Sequence, residues 1–318
     1  MYHPFVSVIV PAYNAAKTIA SCIESIENQS YGKSRYEIIV VDNNSTDNTA
    51  EIIKSFPVQY VLENGQQSPA AARNAGIRHA RGEILAFTDS DCVADTHWLD
   101  NGIALFKNDT IAGVGGSIRP LKIQTTIEKY QTRNHCWDQS HNYSPDKIAT
   151  KTARMITGNV FYRKCVFDTF GGFDCALFSG EDADLGFKVQ NMKGFTIAYC
   201  DSAIIFHRNS DTLSKLWEQH FRYGYYRQLL QAKHNPSYVE KWCRNGYLRP
   251  IYWFTLRTLS QLCCMVYYAL RLCLRKKPEH TIIVIDTFLR TFQQTAYFYG
   301  QLRSALKYKR PFFDLSGE

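Results

Sequence analysis

Hydrophobic and polar positions along the first third of the chain repeat one order: a short apolar run, a polar turn, then a segment with helical spacing. Val6-Ser7-Val8-Ile9-Val10 is a β-branched run closed by Pro11-Ala12-Tyr13-Asn14. From Thr18 to Asn28, Ile19, Ile23 and Ile26 fall on one helix face. A second run, Glu37 to Val41, ends in Asp42-Asn43-Asn44-Ser45-Thr46-Asp47, where Ser45 or Thr46 is placed to cap a helix through Ile52-Ile53. A third, near Tyr60-Val61-Leu62, leads to Ser68-Pro69 and a helix over Ala70 to Ala80. The fourth, Leu85-Ala86-Phe87, stops abruptly at Thr88-Asp89-Ser90-Asp91-Cys92. This alternation predicts an α/β chain with a doubly wound, mostly parallel sheet.

In such a sheet the carboxyl ends of the strands lie on one edge, where ligands gather. Asp42, Asp89 and Asp91 each stand where a strand gives way to a loop. Asp89-Ser90-Asp91 is a DxD motif, and its two carboxylates repel unless something positive sits between them. A divalent cation sharing its shell with phosphate oxygens is the simplest partner. The plain alternative is a turn built from ordinary turn residues.

Further along, Gly113-Val114-Gly115-Gly116-Ser117 has the look of a dinucleotide fingerprint but lacks its third glycine and a following helix pattern. These glycines are expected instead to let backbone pass close to a ligand or turn sharply. Residues 117–155 are polar and aromatic without clear periodicity, as in a functional loop or lid. Regular structure resumes at Met155 to Tyr162, and Phe170-Gly171-Gly172-Phe173-Asp174 is a turn. Ser179 or Gly180 then opens a helix whose first turn holds Glu181, Asp182 and Asp184. Acids are stabilised at helix N-termini, so this is either a well-capped helix or the place of a burial-shifted base. Strands follow at Ile197-Ala198 through Ile204-Ile205-Phe206, with His207 at the end.

Composition narrows the class. The chain has 318 residues, 45% hydrophobic and 21% charged, which excludes a disordered or fibrous protein. Met1 to Pro4 lack a basic start and a long apolar region, and the ten cysteines show no metal-type pairing; both point to the cytoplasm and reduced thiols. The net charge of +8 is uneven: residues 1–200 hold 19 basic and 21 acidic side chains, and residues 201–318 hold 18 and 8. A basic, aromatic tail after an acidic body points to an anionic partner.

The pattern changes near Pro236, which sets the expected boundary between residues 1–235 and 236–318. Ile251 to Leu274 is long enough to cross a bilayer but carries Arg257, Gln261 and Arg271, so crossing is not expected. Thr281 to Leu306 is amphipathic, with Ile285, Phe288, Leu289, Phe292, Ala296, Tyr299 and Leu302 on roughly one side. Arg275-Lys276-Lys277 and Lys307, Lys309 and Arg310 flank these helices. A basic amphipathic pair predicts peripheral contact with an anionic membrane, a helical hairpin covering the catalytic domain, or an ordinary helical subdomain with an apolar seam, through which oligomers can form.

From Val6 to Arg227 an ordered set of motifs resembles the family-2 glycosyltransferases, which have the GT-A fold. The set is Val8 to Asn14, Val41 to Asp47, Ala72-Arg73-Asn74-Ala75-Gly76, Asp89-Ser90-Asp91, Gly171-Gly172-Phe173-Asp174 and Gly180-Glu181-Asp182. The resemblance implies a nucleotide-sugar half over about 1–116 and an acceptor half over about 117–235. It implies that Pro11, Ala12, Tyr13 and Asp42 hold the nucleotide base, and that Arg73 holds nucleotide and phosphate. Asp89 is implied near ribose and metal, Asp91 and His207 as metal ligands, and Asp182 as the catalytic base. Gln219-His220-Phe221-Arg222-Tyr223 resembles the Gln-x-x-Arg-Trp signature of processive members, with Tyr for Trp, and Arg222 is expected at the diphosphate.

The implied activity is inverting transfer of a sugar from a nucleoside-diphosphate donor, a UDP-sugar first, to a hydroxyl of a glycan or lipid-linked acceptor. The implied setting is cell-surface polysaccharide or glycolipid synthesis at the inner face of the membrane, with Mn²⁺ or Mg²⁺ as cofactor and no nucleic acid as partner. One base and a single displacement invert the anomeric carbon, and no second carboxylate is needed as nucleophile. Two rivals stand beside it. A sugar-phosphate nucleotidylyltransferase wants a glycine-rich basic loop where Pro11-Ala12-Tyr13-Asn14 stands. A non-catalytic nucleotide binder with a membrane-binding tail leaves the ordered strand-end carboxylates without a purpose.

Overall fold

A computed structural model describes residues 3–234, 248–275 and 278–308. By its internal contacts the chain divides into two compact units, Met1–Ile123 with His135–Asn209, and Gln124–Asn134 with Ser210–Glu318. The junction expected at 235–236 borders residues 235–247, outside the described residues; Lys276, Lys277, Lys309 and Arg310 of the basic flanks lie outside them too.

The first unit is built on one mixed sheet. Its strands are β1 (Val6–Ala12), β2 (Tyr36–Asp42), β3 (Gln59–Leu62), β4 (Ile84–Phe87), β5 (Cys92–Ala94), β6 (Ile111–Pro120), β7 (Val160–Arg163) and β8 (Thr196–His207). They run in the order β3-β2-β1-β4-β7-β6-β8-β5. β1 to β4 pair in parallel, as the alternation requires, whereas β7 runs antiparallel between β4 and β6, and β5 antiparallel to β8. Central strands are covered on both faces, so Val8, Ile9, Val10 and Leu85 to Phe87 are all fully buried.

The expected helices form as α1 (Ile19–Glu27), α2 (Thr49–Lys54) and α3 (Pro69–His79). Ser68 caps α3 by accepting from the Ala71 amide at 3.1 Å, with Pro69 in its first turn. Short elements add to them: α4 (Trp98–Ala104), and α6 (Pro145–Ala149) and α7 (Lys164–Phe170) after α5 (Thr126–Arg133). Residues 117–155 are therefore partly helical. α5 carries a capping box in which Thr125 and Glu128 satisfy each other's backbone amides.

The glycines at 113, 115 and 116 correct the expectation of a sharp turn or ligand approach: they lie inside β6. A methyl group at Gly115 would strike the Tyr143 hydroxyl, and one at Gly116 would strike the Ala203 carbonyl and the Asn159 side chain. They are small because neighbouring side chains lie across the strand. α8 (Glu181–Gln190) starts from Gly180, whose φ of 86° suits a residue without Cβ.

The second unit gathers α5 with three long helices, α9 (Leu213–His234), α10 (Leu248–Arg275) and α11 (Pro278–Tyr308). Tyr130 of α5 donates to Gln293 of α11 at 2.6 Å, and Arg290 donates to Asn134 at 2.7 Å. Among the described residues, no helix is long and apolar enough to cross a membrane.

Candidate active site

The parallel strands bring their carboxyl ends to one edge of the first unit, and the loops there are tied before any ligand arrives. Ala12 and Asp42 lie in register at the ends of β1 and β2. Asp42 is buried, and its two oxygens accept from the Ser45 amide at 2.9 Å and the Tyr60 hydroxyl at 3.1 Å. Asn14, at φ 49°, donates its amide to Ser45 Oγ at 3.0 Å and accepts from the Thr46 amide at 2.8 Å. Asn tolerates that left-handed conformation better than most residues. Pro11 and Ala12 close β1, and Tyr13 beyond them is 48% exposed, so its ring is free of the core and open to a ligand.

α3 presents Arg73 from its buried side. One guanidinium nitrogen donates to Asp89 at 2.8 Å and another to Glu181 at 2.6 Å, so residues from three segments share one cation. Asp182 follows Glu181 in the first turn of α8. Its carboxylate accepts from the Ala183 amide at 2.7 Å and faces the Thr157 amide at 3.4 Å. Burial pushes the Asp182 carboxyl above its ordinary range, opposed by the positive charge of Arg73. Glu181 is pushed up to about 7, first by burial and then by the charge of Asp182, against the pull of Arg73. Carboxylates outnumber cations here, which makes the site electronegative.

Asp91 and His207 come together because β5 pairs with β8, setting Cys92 opposite His207. Asp91 Oδ1 lies 3.7 Å from His207 Nε2. That is too long for a hydrogen bond. Two donors each about 2.1 Å from one small cation lie at most about 4.2 Å apart, so the pair can share an ion. Carboxylate and imidazole together suit Mn²⁺ better than Mg²⁺. The Cys92 thiol lies in the same group, but burial holds its pKa well above the ordinary value, and a thiol makes a poor ligand for a hard ion. His207 Nδ1 is buried and accepts or donates no hydrogen bond among the described residues. The ring lies instead against Trp137, with centroids 4.1 Å apart.

The structure thus places Pro11, Ala12, Tyr13, Asp42, Arg73, Asp89, Asp91, Asp182 and His207 all in the first unit, and links Arg73 with Asp89 and Asp91 with His207. Arg222 lies exposed on α9 in the second unit. Sequence reasoning left out Glu181 as the second partner of Arg73, Tyr60 as the donor to Asp42, and Trp137 as the neighbour of His207. Glu181 had a signal, since it adjoins Asp182; Tyr60 and Trp137 had none.

A sequence model of Glycosyl transferase family 2 matches residues 7–171, just over half of the chain. The glycosyltransferase AglE of Haloferax volcanii is 34% identical over 226 residues, covering 70% of this chain and 72% of AglE. The chain belongs to glycosyl transferase family 2. The match to the probable glycosyltransferase YdaM of Bacillus subtilis, 28% identical over 236 residues, spans 54% of that protein. A mannosyltransferase of Pyrobaculum calidifontis, solved with GDP-Man and Mn²⁺, shares the fold at a TM-score of 0.60 and 19% identity, over 96% of this chain and 74% of that one. S. aureus TarS 1-349, solved with UDP, aligns at a TM-score of 0.50 and 18% identity, over 99% and 95%. The fold is therefore the GT-A type.

Proposed function

We propose that this family-2 glycosyltransferase is an inverting, metal-dependent enzyme. It moves a sugar from a nucleoside-diphosphate donor to a hydroxyl of a glycan or lipid-linked acceptor in cell-surface polysaccharide or glycolipid synthesis. The observation that carries the reading is that Asp42, Asp89, Asp91 and His207 stand at or just past strand ends on one sheet edge, with Arg73 bridging Asp89 to Glu181, the neighbour of Asp182.

In this reading Pro11, Ala12 and Tyr13 form the lip against the nucleotide base, and Asp42 accepts a hydrogen bond from it. Ser45 and Tyr60 hold the Asp42 carboxylate in place for that bond. Arg73 fixes Asp89 toward ribose and phosphate. Asp91 and His207 would hold a divalent cation, which supplies Lewis-acid stabilisation of the leaving diphosphate when bound. Asp182 accepts the proton of the acceptor hydroxyl as that oxygen attacks the anomeric carbon. Its burial raises its affinity for that proton, which suits a general base at neutral pH. The acceptor oxygen attacks from one face, giving its proton to Asp182, and the diphosphate leaves from the other, so the configuration inverts.

The neighbours solved with GDP-Man and Mn²⁺ and with UDP support a nucleotide donor, with a UDP-sugar as the first to try. An anionic membrane surface belongs to the same reading, because a lipid-linked acceptor resides there, and the enzyme would work at the cytoplasmic side.

The test is nucleotide release from UDP-, GDP- and dTDP-sugars with Mn²⁺. Asp182→Asn is expected to lower turnover by about 10²- to 10⁴-fold, the usual worth of a general base, while donor still raises the melting temperature. Unchanged turnover in that variant removes the base assignment.

A further inference from the structure

α10 carries an apolar stripe on its exposed side. Leu256, Leu259, Leu262, Val266, Tyr267 and Leu270 are all exposed, reaching 59% at Val266 and 60% at Leu270. At about 100° per residue they form one stripe spanning roughly 140° of the helix. The side that packs on α11 mixes polar and apolar contacts. Gln261 donates to Gln294 at 2.8 Å and accepts from Thr291 at 2.9 Å, and Phe254 stacks on Phe298 with centroids 4.1 Å apart. A helix of an ordinary subdomain turns its leucines inward. A contiguous outward stripe marks a surface that something else covers.

The charge pattern selects the occupant. Residues 248–275 contain Arg249, Arg257, Arg271 and Arg275 and no Asp or Glu. Arg271 and Arg257 border one flank of the stripe, with the Arg271 guanidinium over the Tyr267 ring at 4.9 Å. A second copy of this face would set arginine against arginine with no carboxylate to answer it. An anionic lipid surface offers both an apolar layer for the leucines and phosphates for the guanidinium groups. Since α10 is not apolar enough to span, it would lie in the interface plane.

We infer that the exposed Leu256 to Leu270 stripe of α10, with its arginine flank, seats the enzyme on an anionic bilayer. This deepens the membrane part of the proposed function and does not depend on the donor or base assignments.

The full chain is floated with phosphatidylcholine vesicles and with vesicles that also contain phosphatidylglycerol. It is expected to rise with the anionic vesicles only, and less so as salt goes from about 0.1 M to about 1 M, where screening shortens from about 10 Å to about 3 Å. The double variant Leu259→Glu, Val266→Glu is expected to lose at least about tenfold in vesicle binding, with circular dichroism and nucleotide release from soluble donor unchanged. Failure to rise, or equal binding to neutral vesicles, overturns the inference. So does a dimeric mass by light scattering that this variant halves, since a second copy would then cover the stripe. Nucleotide release without vesicle binding sinks this inference alone; vesicle binding without nucleotide release sinks the transferase reading alone.

Discussion

At the scale of single residues, Arg73 decides how the site is charged. A buried guanidinium shared by Asp89 and Glu181, with Asp182 beside them, leaves more negative than positive charge away from water. That excess, with burial, raises the proton affinity of Glu181. Unfolded, Glu181 ionises near 4.5; folded, near 7. A raised folded pKa contributes stability that is complete below about 4.5 and is lost as pH climbs through about 7. With divalent ions chelated, stability is expected to fall across that window, Glu181 contributing up to about 1.4 kcal/mol per pH unit. Glu181→Gln should flatten the slope in melts at several pH values; an unaltered slope would refute the assignment. The strand-end places of Asp42, Asp89 and His207 were legible in the sequence because each closes or follows an apolar run, and a run of that type implies a strand with a defined end. The Arg73–Glu181 pair joins residues 108 apart, and Trp137 meets His207 from a segment without periodicity. No local pattern encodes such contacts.

At the scale of elements, close approach is written in glycine, and its cause is tertiary. α9 and α11 meet where a methyl on Gly224 would strike the Tyr297 carbonyl and one on Gly300 would strike the Phe221 carbonyl. Backbone cannot swing aside as a flexible side chain can. Gly224→Ala is therefore expected to cost about 1–3 kcal/mol or more, seen as a lower melting temperature, despite alanine's better helix propensity. Gly32→Ala, with nothing within 4 Å of the added carbon, is the control and should be near neutral. Equal melting temperatures for the two variants would refute the close contact. The same logic explains why Gly113 to Gly116 were misjudged from sequence: their neighbours Tyr143, Tyr162, Asn159 and Met155 lie far along the chain. The parallel half of the sheet was legible because buried strands and amphipathic helices alternate there with short loops. β5, α4 and α7, each seven residues or fewer, carry too little pattern to stand out from turns.

At the scale of the whole molecule, two units with separate cores imply two unfolding events. Val8, Ile23 and Phe161 belong to one hydrophobic cluster of the first unit, and Tyr130, Leu216 and Leu289 form a cluster of the second. Of the residues assigned to base, phosphate and cation, all but Arg222 belong to the first. A ligand that binds only a folded state stabilises it by about 2.7 kcal/mol at a hundred times its dissociation constant. Calorimetry with Mn²⁺ and UDP is therefore expected to raise the midpoint of one transition and leave the other where it was. The transition that moves should be the one lost in Ile9→Asn, which buries an amide among β1 neighbours, and the fixed one should shift in Gly224→Ala. Equal shifts of both midpoints on adding nucleotide would refute the placement of the donor on the first unit alone.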